Sequence, residues 1–307
     1  MKTFLWIFSL LLGAVACTTA PKDQPGDTDD SFSFVFMTDI HLKPELGAPE
    51  GFQMAIDSVN AIHPDFVITG GDLVDDALYA THGRADTLYN LYKKMAKGFD
   101  MPVHNTMGNH EIYGYGVKPA LDQNHPEYGE KMFEKRIGKR YYSFDHKGWH
   151  FMILDGIEKG DVNLGTYIGK VDDQQLQWIK KDLEDVYPQT PIVVVTHIPL
   201  VSIMPQITRG PLYGDNHGSL ITNQQEVLAP FRFMNLKLVL QGHLHALEDN
   251  NLMGRTHFIT GGAVCGKWWK TPDDSPLQEG FLKIDIKGDD FTWSYVDYGW
   301  ETGIVSP

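Results

Sequence analysis

Thiols, cationic blocks and long apolar runs are all scarce in this chain. Of its 307 residues only two are cysteines, Cys17 and Cys265, so a disulfide-stapled scaffold is excluded and the core must hold by packing. Lysine and arginine total 26 against 40 acidic residues, giving a formal charge of −14 with no Lys/Arg-rich block. A field of that sign repels polyanions, so no nucleic-acid polymer is expected as a partner, while small phosphate compounds stay admissible where bound cations reverse the local sign. The longest apolar run, Phe4 to Leu12, is too short to span a bilayer comfortably.

That run follows Lys2 and precedes Ala14-Val-Ala16 and Cys17, the layout of a cleaved export signal over residues 1–16. Small residues before a cysteine resemble a bacterial lipobox, which implies lipid attachment at Cys17 and a lipoprotein facing the periplasm or cell surface. Ala14-Val-Ala16 also suits an ordinary A-x-A cleavage and a soluble periplasmic or secreted product. Residues 17–31, rich in Thr, Pro and Asp, read as a flexible tether. The chain as a whole is 42% hydrophobic with seven tryptophans, ample for a core, and no second linker interrupts the part after the tether. One domain over 32–300 and a tail at 301–307 are expected.

What the chain does have is a repeated phrase. Asp65-Phe-Val-Ile68 reads as a buried strand, after which Gly70 and Gly71 permit a tight turn that presents Asp72. Ser33 to Met37 runs into Asp39 and His41, and Met101 to Val103 leads through Gly108 to Asn109 and His110. Ile192 to Val195 runs into His197, and Leu236 to Leu240 into His243 and His245. Five apolar strands thus end in residues able to bind metal or move protons, and in open α/β sheets ligand sites lie off the carboxyl ends of strands. Asp39 and His41, two apart, would face one side in extended chain.

Helical spacing is legible over 51–62, 78–95, 172–186 and, more weakly, 224–234. Tyr141 to Phe144 with Trp149 to Leu154, and Phe281 to Ile286 with Phe291 to Val296, read as hairpins. Hairpins added to strand–helix alternation imply mixed sheets in an α/β protein.

Asp39-x-His41, Gly71-Asp72-x-x-Asp75, Gly108-Asn109-His110-Glu111, His197 and Gly242-His243-x-His245 together resemble the calcineurin-like metallophosphoesterase superfamily. Any one of these histidines alone is more often structural, whereas five ordered motifs are specific. The resemblance implies a four-layer α/β/β/α sandwich of two mixed sheets flanked by helices. It also implies two divalent ions, with Asp39, His41 and His245 on one, Asn109, His197 and His243 on the other, and Asp72 bridging. The donor set suits Mn, Fe, Zn or similar ions, with no thiolate to select zinc alone. A local bend at Gly242 or just after it is needed to send His243 and His245 to different ions.

The implied reaction is hydrolysis of a phosphodiester or phosphomonoester by in-line attack of a hydroxide bridging the two metals. His110 would assist the leaving group, oriented by the Asp75 carboxylate. Purple acid phosphatases are similar but carry a metal-binding Tyr where this chain has Asp75. The Asp-Leu-Val-Asp form looks more like the cyclic-nucleotide phosphodiesterase and general phosphoesterase branch. Arg209, Tyr213 and His217 in the long loop 205–220, and Tyr113 after His110, are candidate walls of the substrate pocket. Arg209 or Arg255 could supply the cation that favours monoesters. Of adjacent Trp268 and Trp269, one could pack in the core and the other line the cleft, or both could pack. The reading from a different class is a surface-anchored binding module that keeps the fold and metals with little or no catalysis.

Overall fold

In β1 (Phe32–Met37) alternation decides the faces. Phe32, Phe34 and Phe36 join Trp149, Phe151 and Ile153 in a core between two sheets, while Val35 and Met37 turn to a second core under the helices. Both faces are covered, which is why the segment reads as a continuous apolar run.

The computed structural model describes residues 30–116, 123–160, 166–213, 217–270 and 279–301. The leader, Cys17, most of the tether and residues 302–307 of the tail lie outside the described residues. The remaining strands are β2 (Phe66–Thr69), β3 (Val103–His104), β4 (Tyr142–His146), β5 (Trp149–Ile153), β6 (Ile157–Lys159), β7 (Tyr167–Gly169), β8 (Pro191–Val195), β9 (Asn235–Gln241), β10 (Glu248–Leu252), β11 (Thr256–Thr260), β12 (Phe281–Lys287) and β13 (Asp290–Val296). The helices are α1 (Ala48–Ile62), α2 (His82–Met95), α3 (Lys131–Arg136), α4 (Asp173–Asp182), α5 (Met204–Arg209) and α6 (Gln224–Leu228).

One sheet runs β13-β12-β1-β2-β3, with β1, β2 and β3 mutually parallel. The other runs β10-β11-β9-β8-β5-β4, with β5, β8, β9 and β11 parallel and antiparallel strands at its edges. Both expected hairpins form, as β4–β5 and β12–β13. α1 and α2 are the crossovers of the first sheet; Phe52 of α1 stacks on Tyr92 of α2 at 6.2 Å. α4 and α6 connect parallel strands of the second sheet. The result is the expected sandwich of two mixed sheets between helices.

Parallelism places the site. The carboxyl ends of β1, β2 and β3 share one edge of the first sheet, and those of β8, β9 and β11 share one edge of the second. The edges meet where His197, just after β8, donates from Nδ1 to the Gly70 carbonyl just after β2, at 2.8 Å.

Candidate metal centre

Six loops converge at this seam, and their backbones are held in unusual conformations. Asp39, His41, Asp72, His243 and His245 have φ of 55°, 45°, 51°, 72° and 50°. Left-handed backbone costs a non-glycine residue about 1 kcal/mol or more, and such outliers gather at functional sites. Asp39 and His41 are therefore brought together by two left-handed residues and not by extended chain, which corrects the expectation above. The bend that redirects His243 and His245 likewise lies in those residues themselves, after Gly242. Gly71, at φ 91°, could not carry a side chain, since a Cβ there would stand 2.7 Å from His197 Nδ1.

Asp72 is the hub. Its Oδ2 lies 3.1 Å from His197 Nε2, 3.6 Å from His41 Nε2 and 3.9 Å from His110 Nε2. Its Oδ1 accepts the His110 backbone N–H at 2.9 Å. On one side Asn109 Oδ1 is 3.1 Å from His197 Nε2, and Asp72, His197 and His243 offer ligand atoms within 4.8 Å of one another. On the other side Asp39 Oδ1 is 3.3 Å from His245 Nε2 and 3.9 Å from His41 Nε2, and the two Nε2 atoms face each other at 3.0 Å. Nearly all of this is buried, and His41 Nδ1 has no hydrogen-bond partner.

Electrostatics show what the cluster would accept. Burial pushes His41 well below its usual range, reinforced by the His110 ring, and burial with the His197 ring brings His243 down to about 4. Those two imidazoles keep free lone pairs. For His197 and His245 burial is outweighed by Asp72 and Asp39, raising them to about 9 and about 11. Burial opposes ionisation of Asp39, yet the His245 ring brings it down to about 2. Two protons thus sit among carboxylates, a carboxamide and neutral imidazoles, where cations of intermediate softness would displace them. The residues fit divalent metal.

Around the hub are further residues, among them Glu111 and Thr38, to which the sequence reading gave no role. Buried Glu111 accepts the backbone N–H groups of Asp72, Val74 and Gly108 at 2.9, 3.0 and 2.6 Å, clamping the β2 and β3 turns together. Thr38 Oγ1 donates to Asp39 Oδ2 at 2.7 Å. Trp268 lies tilted over His41 at 3.9 Å between ring centroids, stacks on His245 at 5.0 Å and flanks His110 at 5.5 Å, whereas Trp269 is buried and donates to the Ile40 carbonyl. One tryptophan packs and the other faces the site, in a turn with both residues at positive φ and not on a strand. Cys265 is buried with its sulfur within 4.8 Å of ring nitrogens of His41 and His245, a sulfur that the expected nitrogen and oxygen donor set does not include.

Other expectations change too. His110 Nδ1 donates to the backbone carbonyl of Asp75 at 2.5 Å, while the Asp75 carboxylate pairs with Lys43 at 2.7 Å; the turn after β2 aims a carbonyl, and not a side chain, at the ring. Tyr113 is only 2% exposed and packs on His82 and His125, so it forms no pocket wall. Arg255 precedes β11 and donates to the Arg232 and Met234 carbonyls, at the sheet edge opposite the site. Arg209, on α5, is exposed and hydrogen-bonds and stacks on Tyr213. His217 is exposed beside a hollow lined by Leu220 to Glu226. None of the contacts described here links either residue to the Asp72 cluster.

A family model described as calcineurin-like phosphoesterase matches residues 32–247. A Danio rerio transmembrane protein with metallophosphoesterase domain is 23% identical over 226 residues, 74% of this chain and 43% of its own length. Its Bos taurus namesake is 25% identical over 194 residues, 62% of this chain and 40% of its own. The chain therefore spans less than half the length of either relative. Among the described residues no helix is long and apolar enough to cross a membrane. Of solved structures, a dimetal phosphatase from Danio rerio superposes with a TM-score of 0.64 at 16% identity, covering 87% of this chain and 96% of that one. A 5'-nucleotidase from Candida albicans does so with a TM-score of 0.50 at 15% identity, covering 87% and 52%. At such identities the likeness is one of fold.

Proposed function

The chain belongs to the calcineurin-like phosphoesterase family, and from that premise we propose that it hydrolyses small phosphodiesters or phosphomonoesters using two divalent ions. The observation that carries this reading is the Asp72 hub, one carboxylate oxygen within 3.1 to 3.9 Å of imidazoles from both sheets. Asp39, His41 and His245 would hold one ion, Asn109, His197 and His243 the other, with Asp72 shared. Bound there, such ions supply Lewis acidity toward phosphoryl oxygens and a water acidified toward neutrality.

The chain's own groups do the rest. The carbonyl of Asp75 fixes Nδ1 of His110 as the protonated nitrogen, which leaves Nε2 facing the hub. At 19% exposure His110 reaches both solvent and site; with a second proton taken up at Nε2 from solvent, the ring would pass that proton to a departing oxygen while Nδ1–H stays on the Asp75 carbonyl. Glu111 holds the turns that carry Asp72 and Asn109 in fixed relation. Retention of every ligand-type residue supports catalysis over a binding-only role.

Metal-stripped protein given Mn, Zn, Mg or Fe(II) singly is expected to recover hydrolysis of aryl phosphomonoesters or phosphodiesters, and Asp72→Asn is expected to abolish it. The ratio of the two rates assigns the ester class. Two ions bound without turnover of any ester would leave the binding-only role. We further propose export and lipid attachment at Cys17, for which metabolic incorporation of labelled fatty acid, lost in Cys17→Ser, is the check.

A further inference from the structure

We infer that Cys265 is a sulfur ligand of the metal position formed by Asp39, His41 and His245, biasing that position toward zinc or a comparably soft dication. The inference rests on the proposed function only in requiring that this position binds metal.

Topology delivers the residue. β11 is parallel to β9, so Gly261 to Cys265 leave the second sheet at the same edge as His243 and His245. The segment then runs alongside the end of β1. Val264 N–H donates to the Thr38 carbonyl at 3.0 Å and Cys265 N–H to the Asp39 carbonyl at 3.2 Å. These bonds fix the cysteine in register with a ligand on the neighbouring sheet. Its sulfur, one nitrogen of His41 and one of His245 lie within 4.8 Å of one another. Sulfur and nitrogen bound tetrahedrally to one zinc, at about 2.3 and 2.0–2.1 Å, stand about 3.6 Å apart, a contraction that side-chain torsions can supply.

The surroundings point to a ligand independently of the thiol. His41 is fully buried with its Nδ1 unpartnered, and its Nε2 meets His245 Nε2 at 3.0 Å. Two imidazole nitrogens at that distance can share only one proton between them, and a cation satisfies both lone pairs together. A buried free cysteine ordinarily behaves as a small apolar group, yet this one lies among imidazoles. Trp268 covers His41 and His245 from the outer side. Coordination exchanges the S–H bond for a sulfur–metal bond and releases that proton to solvent, with no change of oxidation state. Softness then favours zinc over manganese or magnesium at this position.

The test reads coordination and not turnover. The full chain carrying Cys17→Ala, so that Cys265 is the only thiol, is stripped and reloaded with zinc or cobalt(II). Zinc-edge X-ray absorption is expected to show a sulfur scatterer at about 2.3 Å, and the cobalt form a sulfur-to-metal charge-transfer band in the near ultraviolet. Adding Cys265→Ser or Cys265→Ala removes both signals and lowers zinc affinity tenfold or more relative to manganese. Purely nitrogen and oxygen ligation in the parent protein overturns the inference without any variant, and leaves the phosphoesterase reading standing if metal-dependent hydrolysis persists. Failure to bind any ion removes both.

Discussion

Asp75 and His110 illustrate how much turns on which atom of a residue is used. The ring of His110 is oriented by the Asp75 backbone, so Asp75→Asn should leave the pH–rate profile unchanged. Its cost is confined to the Lys43 ion pair, largely shielded from solvent and worth about 1 kcal/mol. His110→Ala should lower kcat by about 10²–10⁴ with little change in metal affinity. A large loss of kcat in Asp75→Asn would instead restore the carboxylate as the orienting group. The motif itself was plain in the sequence, because Asp, Asn and His at strand ends are recognisable by type. Backbone acceptors have no letter of their own, so the Asp75 carbonyl was invisible. Glu111 was visible but silent, since a glutamate that clamps backbone N–H groups looks like one exposed to solvent.

At the scale of elements, β1, β2, β8, β9 and the two hairpins were legible from apolar β-branched and aromatic runs. β11 is harder to read, although Phe258-Ile-Thr-Gly-Gly262 nearly repeats Phe66-Val-Ile-Thr-Gly-Gly71. No ligand-type residue follows its glycines directly, and Cys265 arrives only after Ala263 and Val264. The helices under the site are tied by a different device. Arg136 of α3 grips Glu127 through Nε and Nη2 at 3.0 and 2.9 Å and reaches Asp86 of α2 at 2.6 Å. Arg136 first, with His82 and Lys135 beside it, holds the Glu127 carboxyl far below the usual carboxylate range. A depressed carboxylate contributes stability that is complete above its unfolded value and lost as pH falls through the folded one. Glu127→Gln should therefore cost about 2–3 kcal/mol at pH 7 in urea unfolding, with the gap to wild type closing progressively below about pH 4.5. A gap independent of pH would show that the pair acts by shape and not by charge.

For the molecule as a whole, the site is a seam. Asp39, His41, Asp72 and Asn109 follow strands of one sheet, while His197, His243 and His245 follow strands of the other. The direct polar links across it include the His197 bonds to Gly70 and Asp72 and the His245 contact with Asp39. Ions bound there would join the sheets at the turns whose left-handed residues strain the metal-free form. Ligand that binds only the folded state adds about 2.7 kcal/mol at a hundredfold excess over its Kd. For a domain of this size that corresponds to a rise in Tm of about 5 °C or more for each site filled. Calorimetry of metal-free and reloaded protein should show such a rise, and hydrogen exchange should slow together at the turns after β1, β2, β8 and β9. Asp72→Asn, which removes the carboxylate proposed to be shared, should lose most of both effects, whereas His110→Ala should keep them. Protection confined to one sheet would mean that the ions bind within a single edge and that Asp72 does not bridge the seam.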